Sequence, residues 1–61
     1  MKWIIRKGVG RIEIGKPFMG ITVKSINRYG LFVQVGFVQN GINGRPPLAI
    51  TMNEIESFCA E

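Results

Sequence analysis

The chain has 61 residues, one cysteine, no histidine and a formal net charge of +4. This length allows one small domain, and a lone cysteine excludes an intrachain disulfide. Because the sequence contains neither histidine nor aspartate, it cannot assemble the usual zinc sites, catalytic bases or triads, so we expect no cofactor and no enzymatic activity. The lone thiol and the short, interrupted apolar stretches predict a cytoplasmic protein with no membrane partner.

Charge is distributed unevenly along the sequence. Residues 1–46 hold all eight Lys and Arg but one acid, Glu13, for a net +7, whereas residues 47–61 hold three glutamates and no base, for a net −3. The net positive charge of residues 1–46 indicates a polyanionic partner, and nucleic acid is the first candidate. A surface that is basic for solubility alone accounts for the charge equally well.

Five short antiparallel strands and one C-terminal helix are predicted in chain order. Each strand is apolar or alternates with a period of two, and each is bounded by glycine, proline or asparagine. The strands cover residues 2–6, 11–14, 18–26, 31–38 and 48–50. The helix covers residues 52–59, because "TMNE" has the form of a capping box and the apolar residues after it recur at helical spacing. The fold class is therefore mainly β.

Alternation in the first strand separates its side chains onto two faces. Lys2, Ile4 and Arg6 share the face that we expect to point outward, with Lys7 following at the turn. Trp3 and Ile5 lie on the opposite face, which we expect to be buried. Basic side chains two apart on a strand match the spacing of phosphates along a nucleic-acid backbone, although charged edge strands also serve to block aggregation.

The order and spacing of several short motifs resemble the carbon storage regulator family (CsrA/RsmA-type translational regulators). That family opens with Met, a short apolar strand and a pair of basic residues, which matches Met1 to Lys7 with Arg6 and Lys7 as the pair. Further matches follow in the same order along nearly the whole chain. They are "IEIG" at 12–15 with its two isoleucines, "ITV" at 21–23, "VQVG" at 33–36 and "NEI" at 53–55.

This resemblance implies a strand-exchanged homodimer that binds messenger RNA leaders or small regulatory RNAs at GGA-containing loops and so regulates translation. The family's binding surface combines the first strand of one subunit with the last strand and helix start of the other. Together with the basic positions noted above, the predicted RNA-binding residues are Lys2, Ile4, Arg6, Lys7, Arg45, Ile50 and Met52.

Three departures from the family pattern bear on RNA recognition. Met52 stands where the family has an arginine at the helix start. The segment "QNGINGRPP" is longer than the family's Ala-Pro stretch, and Arg45 within it is a candidate replacement for the missing charge. Lys16 replaces an acidic residue that usually follows "I-G".

A second, local resemblance covers about a quarter of the chain. "GITVKSINRYGLFVQV" is similar to the strand-turn-strand signature of the OB-fold RNA-binding repeats of a large ribosomal small-subunit protein. That resemblance implies a small OB-like barrel that binds single-stranded RNA. Its base-stacking aromatics would be Phe18, Tyr29 and Phe32, with Lys24 and Arg28 on phosphates.

A different class of function stays open beside RNA binding. The chain could be a protein-interaction module that keeps the dimer fold but has lost RNA recognition, which Met52 in place of the family arginine favours. Its partner would then be a protein, for example one that it antagonises.

Overall fold

The computed structural model describes residues 1–38 and 46–60, and most of these residues form β-strands. A single 3₁₀ turn, Met52–Glu54, is the helical element of the described chain. The seven strands are β1 Trp3–Arg6, β2 Gly10–Glu13, β3 Pro17–Phe18, β4 Ile21–Tyr29, β5 Phe32–Phe37, β6 Leu48–Thr51 and β7 Ile55–Phe58.

The strands form two antiparallel sheets, ordered β2-β1-β7 and β3-β4-β5-β6. The chain passes from the first sheet to the second just after β2, where Gly15 N donates to Val23 O at 2.9 Å and Val23 N donates to Lys16 O at 3.0 Å. Within the sheets, β1 pairs with β2, β3 to β6 pair in chain order, and the last strand, β7, returns to β1. This order differs from the Greek-key order of an OB-like barrel, so that alternative does not describe the observed connectivity.

The first strand has a neighbour on each side within its own chain. β1 pairs with β2 from Trp3 to Arg6 and with β7 on its other edge. Beyond the strand, the Cys59 amide donates to Trp3 O at 3.0 Å, and the amino group of Met1 donates to Ile26 O at 3.4 Å. The neighbours that strand exchange was expected to supply are therefore present in one chain, and the homodimer stays a prediction.

The core lies between the two sheets and consists entirely of apolar side chains. In β5, Val33, Val35 and Phe37 alternate with more exposed residues and are buried. Leu31, which has the same parity along the chain, is 84% exposed because it lies in the turn before β5. The buried residues are Ile4, Ile12, Val23, Ile26, Val33, Val35, Phe37, Ile50 and Ile55.

The predicted orientation of β1 is wrong. Ile4 is 0% exposed and pairs directly with Ile12 of β2, which is 1% exposed. Because directly paired residues share a face of a sheet, these two isoleucines set the core side of β1. Trp3 and Ile5 therefore lie on the outer face, where they are half-buried.

The predicted C-terminal helix is also wrong. After the 3₁₀ turn, Ile55 is extended, with φ −97° and ψ 124°, and its side chain enters the core. A helix of residues 52–59 is too short to be stable alone. As a strand, the same segment gains a ladder of backbone hydrogen bonds to β1, and this pairing decides its conformation.

The predicted third strand is divided by a tight turn. Met19 and Gly20 have φ values of 54° and 85°, so the chain reverses between β3 and β4. β4 then continues to Tyr29, through residues that were predicted to form a turn. A bulge follows Val23, and Gly36 faces Ser25 beside it, where a side chain would place its Cβ 2.5 Å from Ser25 Oγ. The absence of a side chain at Gly36 thus leaves room for Ser25 at the bulge.

Candidate nucleic-acid interface

Two aromatic rings lie together on the outer face of the four-stranded sheet. Tyr29 at the end of β4 pairs with Phe32 at the start of β5. Their ring centroids are 5.8 Å apart and their planes are tilted by 32°. Val33, next to Phe32, points into the core, so alternation turns Phe32 outward. Tyr29 is 52% exposed and Phe32 is 40% exposed, which leaves ring surface for a ligand.

Polar side chains occupy the next position along the same face. Asn27 pairs with Gln34, two residues along each strand from the aromatic pair, and Ala49 of β6 lies beside Gln34. We call the outer-face residues Asn27, Tyr29, Phe32, Gln34 and Ala49 the platform. The platform presents two aromatic rings, two carboxamides and the methyl group of Ala49.

A series of hydrogen-bonded side chains connects the platform to β1. Thr51 pairs with Phe32 across β5 and β6, and its hydroxyl donates to Glu54 Oε1 at 3.1 Å. Arg6 then donates to the other oxygen, Oε2, at 3.2 Å. A backbone hydrogen bond joins the same two segments, since the Lys7 amide donates to Glu54 O at 2.8 Å.

Glu54 is held as a carboxylate by these contacts. The Arg6 guanidinium that donates to Glu54 holds the pKa of its carboxyl below the ordinary value, and the hydroxyl and amide of Thr51 lower that pKa further. The Thr51 and Glu54 side chains that resembled a capping box thus interact, but around a 3₁₀ turn rather than an α-helix. Both Arg6 and Glu54 are solvent-exposed in part, so the pair is open to displacement by an anion.

Two further basic side chains, Arg28 and Lys24, lie on β4 outside the platform. Arg28 Nε donates to the carbonyl oxygen of Gly30 at 3.0 Å, which holds the guanidinium at the β4–β5 turn. Lys24 is exposed at the bulge, next to Ser25. These are the two residues that the second resemblance assigned to phosphates.

The structure brings some of the predicted RNA-binding residues together and separates others. Arg6 and Lys7 meet the turn that begins at Met52, which is partly buried against the core. Lys2 is exposed at the opposite end of β1. Arg45 lies outside the described residues.

Two predicted contact residues are in the core instead. The side chains of Ile4 and Ile50 are each 0% exposed, because both pair with core residues, Ile4 with Ile12 and Ile50 with Val33. Neither side chain is on the surface of the chain.

The aromatic residues differ in their availability. Phe18, expected to stack on a base, is partly buried and stacks on Phe37, with centroids 6.5 Å apart and planes at 19°. Trp3, expected in the core, lies under the Arg11 guanidinium at 4.7 Å from its ring centroid. Arg11 is itself paired with Glu13 at 3.0 Å. Tyr29 and Phe32 are the exposed members of the predicted stacking set.

Sequence reasoning missed the polar part of the platform. Asn27 follows the buried Ile26, and Gln34 lies between the buried Val33 and Val35. This alternation of amide and apolar residues was the available signal for an outward-facing polar row. Glu54 was assigned to helix capping, and its partner Arg6 is 48 positions away in the sequence.

Other kinds of site have no support in the described part of the chain. Residues 1–38 and 46–60 contain no group of three or more His, Cys, Asp or Glu side chains placed to hold a metal ion. They also form no helix of the length and hydropathy that a membrane crossing needs.

Comparison with known proteins gives no relative: no family model matches the chain, and no curated protein and no solved structure matches it.

Proposed function

We propose that this protein binds single-stranded RNA on the platform. The observation that carries the proposal is the exposed Tyr29–Phe32 pair, 5.8 Å between centroids, on an outer sheet face. Every base has a π-face, and stacking on an aromatic side chain is worth about 1–3 kcal/mol per base. A single strand can present unstacked bases to such a surface, whereas the bases of a duplex are already stacked.

The charge distribution supports a polyanionic ligand. Residues 1–46 carry a net +7. Within the described ranges, four lysines are exposed and form no ion pair, so their ammonium groups are available to phosphates. These lysines are Lys2, Lys7, Lys16 and Lys24. If all four contact phosphates, affinity falls roughly 50-fold between about 50 mM and about 200 mM salt, since each contact contributes a slope of about 0.7 for a single strand.

We extend the proposal to the role that the carbon storage resemblance implies, which is post-transcriptional regulation by a homodimer bound to a messenger RNA leader or a small regulatory RNA. In that family the first strand and the segment after the last predicted strand share one binding surface. The contact of Arg6 with the turn at Met52–Glu54 supports such a surface here, although both parts come from the same chain.

Fluorescence anisotropy with a labelled 12-nucleotide single-stranded RNA tests the binding proposal. Phe32→Ala should weaken binding by about 5- to 100-fold, the equivalent of one lost stack. Phe58→Ala is a matched control, because Phe58 is 39% exposed compared with 40% for Phe32 but lies on β7 of the other sheet. Equal loss in the two variants, or no binding by the folded wild-type protein, contradicts the proposal.

A protein-interaction module is the second candidate function. Leu31 at the β4–β5 turn is 84% exposed beside the aromatic pair, and exposed apolar side chains of this kind are enriched at protein interfaces. In this case the Phe32→Ala and Leu31→Ala variants would both lose a protein partner that the wild type captures. RNA binding that is intact in Leu31→Ala and lost in Phe32→Ala favours the first candidate.

A further inference from the structure

The platform has a row of hydrogen-bonding groups placed to read the edge of a stacked base. Asn27 and Gln34 face each other on the same side of the sheet as Tyr29 and Phe32, two residues farther along each strand. Side chains two residues apart on a strand stand about 7 Å apart. A base stacked on Phe32 therefore directs an edge toward the two carboxamides.

Both carboxamides have free hydrogen-bonding capacity. Neither the Asn27 nor the Gln34 side chain forms a hydrogen bond with the residues that the structure describes. Ala49 beside Gln34 and Gly36 farther along β5 add no bulky side chain that would cover them. Each carboxamide offers an acceptor oxygen and two N–H donors side by side.

The neighbouring arginines are already engaged. Arg6 is paired with Glu54 at 3.2 Å, and Arg28 donates to Gly30 O at 3.0 Å. Guanine presents two acceptors, O6 and N7, which suit an arginine, whereas adenine presents the N6 donor beside the N7 acceptor, which suits Asn or Gln. Adenine also repeats a donor and an acceptor side by side on its Watson–Crick edge.

We propose that the platform prefers adenine, with Asn27 and Gln34 as the residues that determine this preference. This inference rests on the proposed RNA-binding function and names the base that it selects. It differs from the guanine-containing loops that the carbon storage resemblance implies. The aromatic rings supply affinity for any base, and the carboxamides select among bases.

The test compares labelled A12, U12 and C12 single strands, with binding measured by anisotropy at low salt and neutral pH. Wild-type protein should bind A12 at least about fivefold more tightly than U12 or C12, the lower end of the discrimination given by a bidentate amide–adenine contact. Asn27→Leu and Gln34→Met keep the approximate shape of each side chain and remove its amide. Each variant should reduce the A12 advantage, so that the ratio of the A12 affinity to the U12 affinity falls toward one.

Circular dichroism and thermal unfolding check that these surface variants remain folded. Equal wild-type affinities for the three strands, or an A12 advantage that persists in both variants, overturns the adenine preference and leaves RNA binding in place. Failure of folded wild-type protein to bind any of the three strands overturns the proposed function, and the adenine preference with it.

Discussion

Arg6 and Glu54, 48 residues apart in the sequence, are joined at 3.2 Å where β1 meets the turn that follows β6. The pair stands beside Thr51, which itself pairs with Phe32 of the platform. An RNA phosphate that approaches this edge has to compete with the Glu54 carboxylate for Arg6. The Arg6–Glu54 ion pair therefore weakens RNA binding at one end of the proposed interface.

Glu54→Gln should strengthen RNA binding, by about two- to fivefold at low salt, because it removes a negative charge and releases Arg6 to a phosphate. The slope of log affinity against log salt should steepen by about 0.7, the value for one added phosphate contact on a single strand. Anisotropy titrations at several salt concentrations give both quantities.

Glu56→Gln is the control for that measurement, because it makes the same change in net charge at an exposed position of β7. Glu56 forms no ion pair among the residues described. If Glu56→Gln strengthens binding as much as Glu54→Gln does, net charge and not the release of Arg6 is the cause.

Acid should weaken the fold through Glu54. Its folded-state pKa is below the ordinary value of 4.5 because of Arg6 and Thr51, so the unfolded chain binds the proton more readily. The stabilisation is then complete above the ordinary value and is lost as the pH falls through the lowered, folded-state pKa. Wild type should have a higher Tm than Glu54→Gln at pH 7, and the difference should close as the pH falls below the ordinary value of 4.5 and through the lowered, folded-state pKa. A difference that is constant from pH 7 to pH 3 contradicts this assignment.

Ile4→Val should destabilise the protein by about 0.5–1.5 kcal/mol, the usual effect of removing one buried methylene. Ile14→Val is the matched control, because Ile14 is 40% exposed whereas Ile4 is 0% exposed. Urea unfolding measures both. Equal effects would mean that Ile4 is not in the core and that the outward orientation predicted from the sequence holds after all.

Gly36→Ala should be tolerated better when Ser25 lacks its hydroxyl. A Cβ on Gly36 would lie 2.5 Å from Ser25 Oγ but 3.8 Å from Ser25 Cβ, so the hydroxyl must rotate away in the single variant. A double-mutant cycle with Ser25→Ala should give a coupling of about 0.5–1 kcal/mol. Strict additivity of the two changes shows that the hydroxyl moves without cost.

Sedimentation equilibrium tests the predicted homodimer. A dimer gives twice the chain mass of 6.8 kDa, and Phe32→Ala should leave this mass unchanged because its ring faces outward on the platform. A monomer that still binds RNA would remove strand exchange from the proposal and leave the platform as a complete site in one chain.

The sequence predicted the strands better than it predicted their faces. In "KWIIR", Ile4 and Ile5 are adjacent, so either face of β1 is apolar, and the partner Ile12 decides which face is buried. The orientation of β1 was wrong for that reason. β5 has no such ambiguity, because Val33, Val35 and Phe37 alternate with more exposed residues and form its buried face.

The predicted C-terminal helix and the candidate site show which features cannot be predicted from residues that are close in the sequence. The Thr51 hydroxyl donates to the Glu54 side chain at a 3₁₀ turn, so a Thr and a Glu three residues apart do not by themselves identify an α-helix. The ladder to β1 that makes β7 a strand cannot be seen in the local sequence. Tyr29 and Phe32 were named by the second resemblance, whose matching segment contains both residues. The Arg6–Glu54 contact was not, since it depends on the pairing of distant strands.

The position of β1 between β2 and β7 has a consequence for synthesis. β1 can pair with β2 soon after both leave the ribosome, but its other edge has no partner until Phe58 has also emerged. Contacts between such distant segments form late and slow the folding of small domains. During that interval the edge of a basic strand, carrying Arg6, is open to any other extended chain, and it closes only once β7 is available to pair with it.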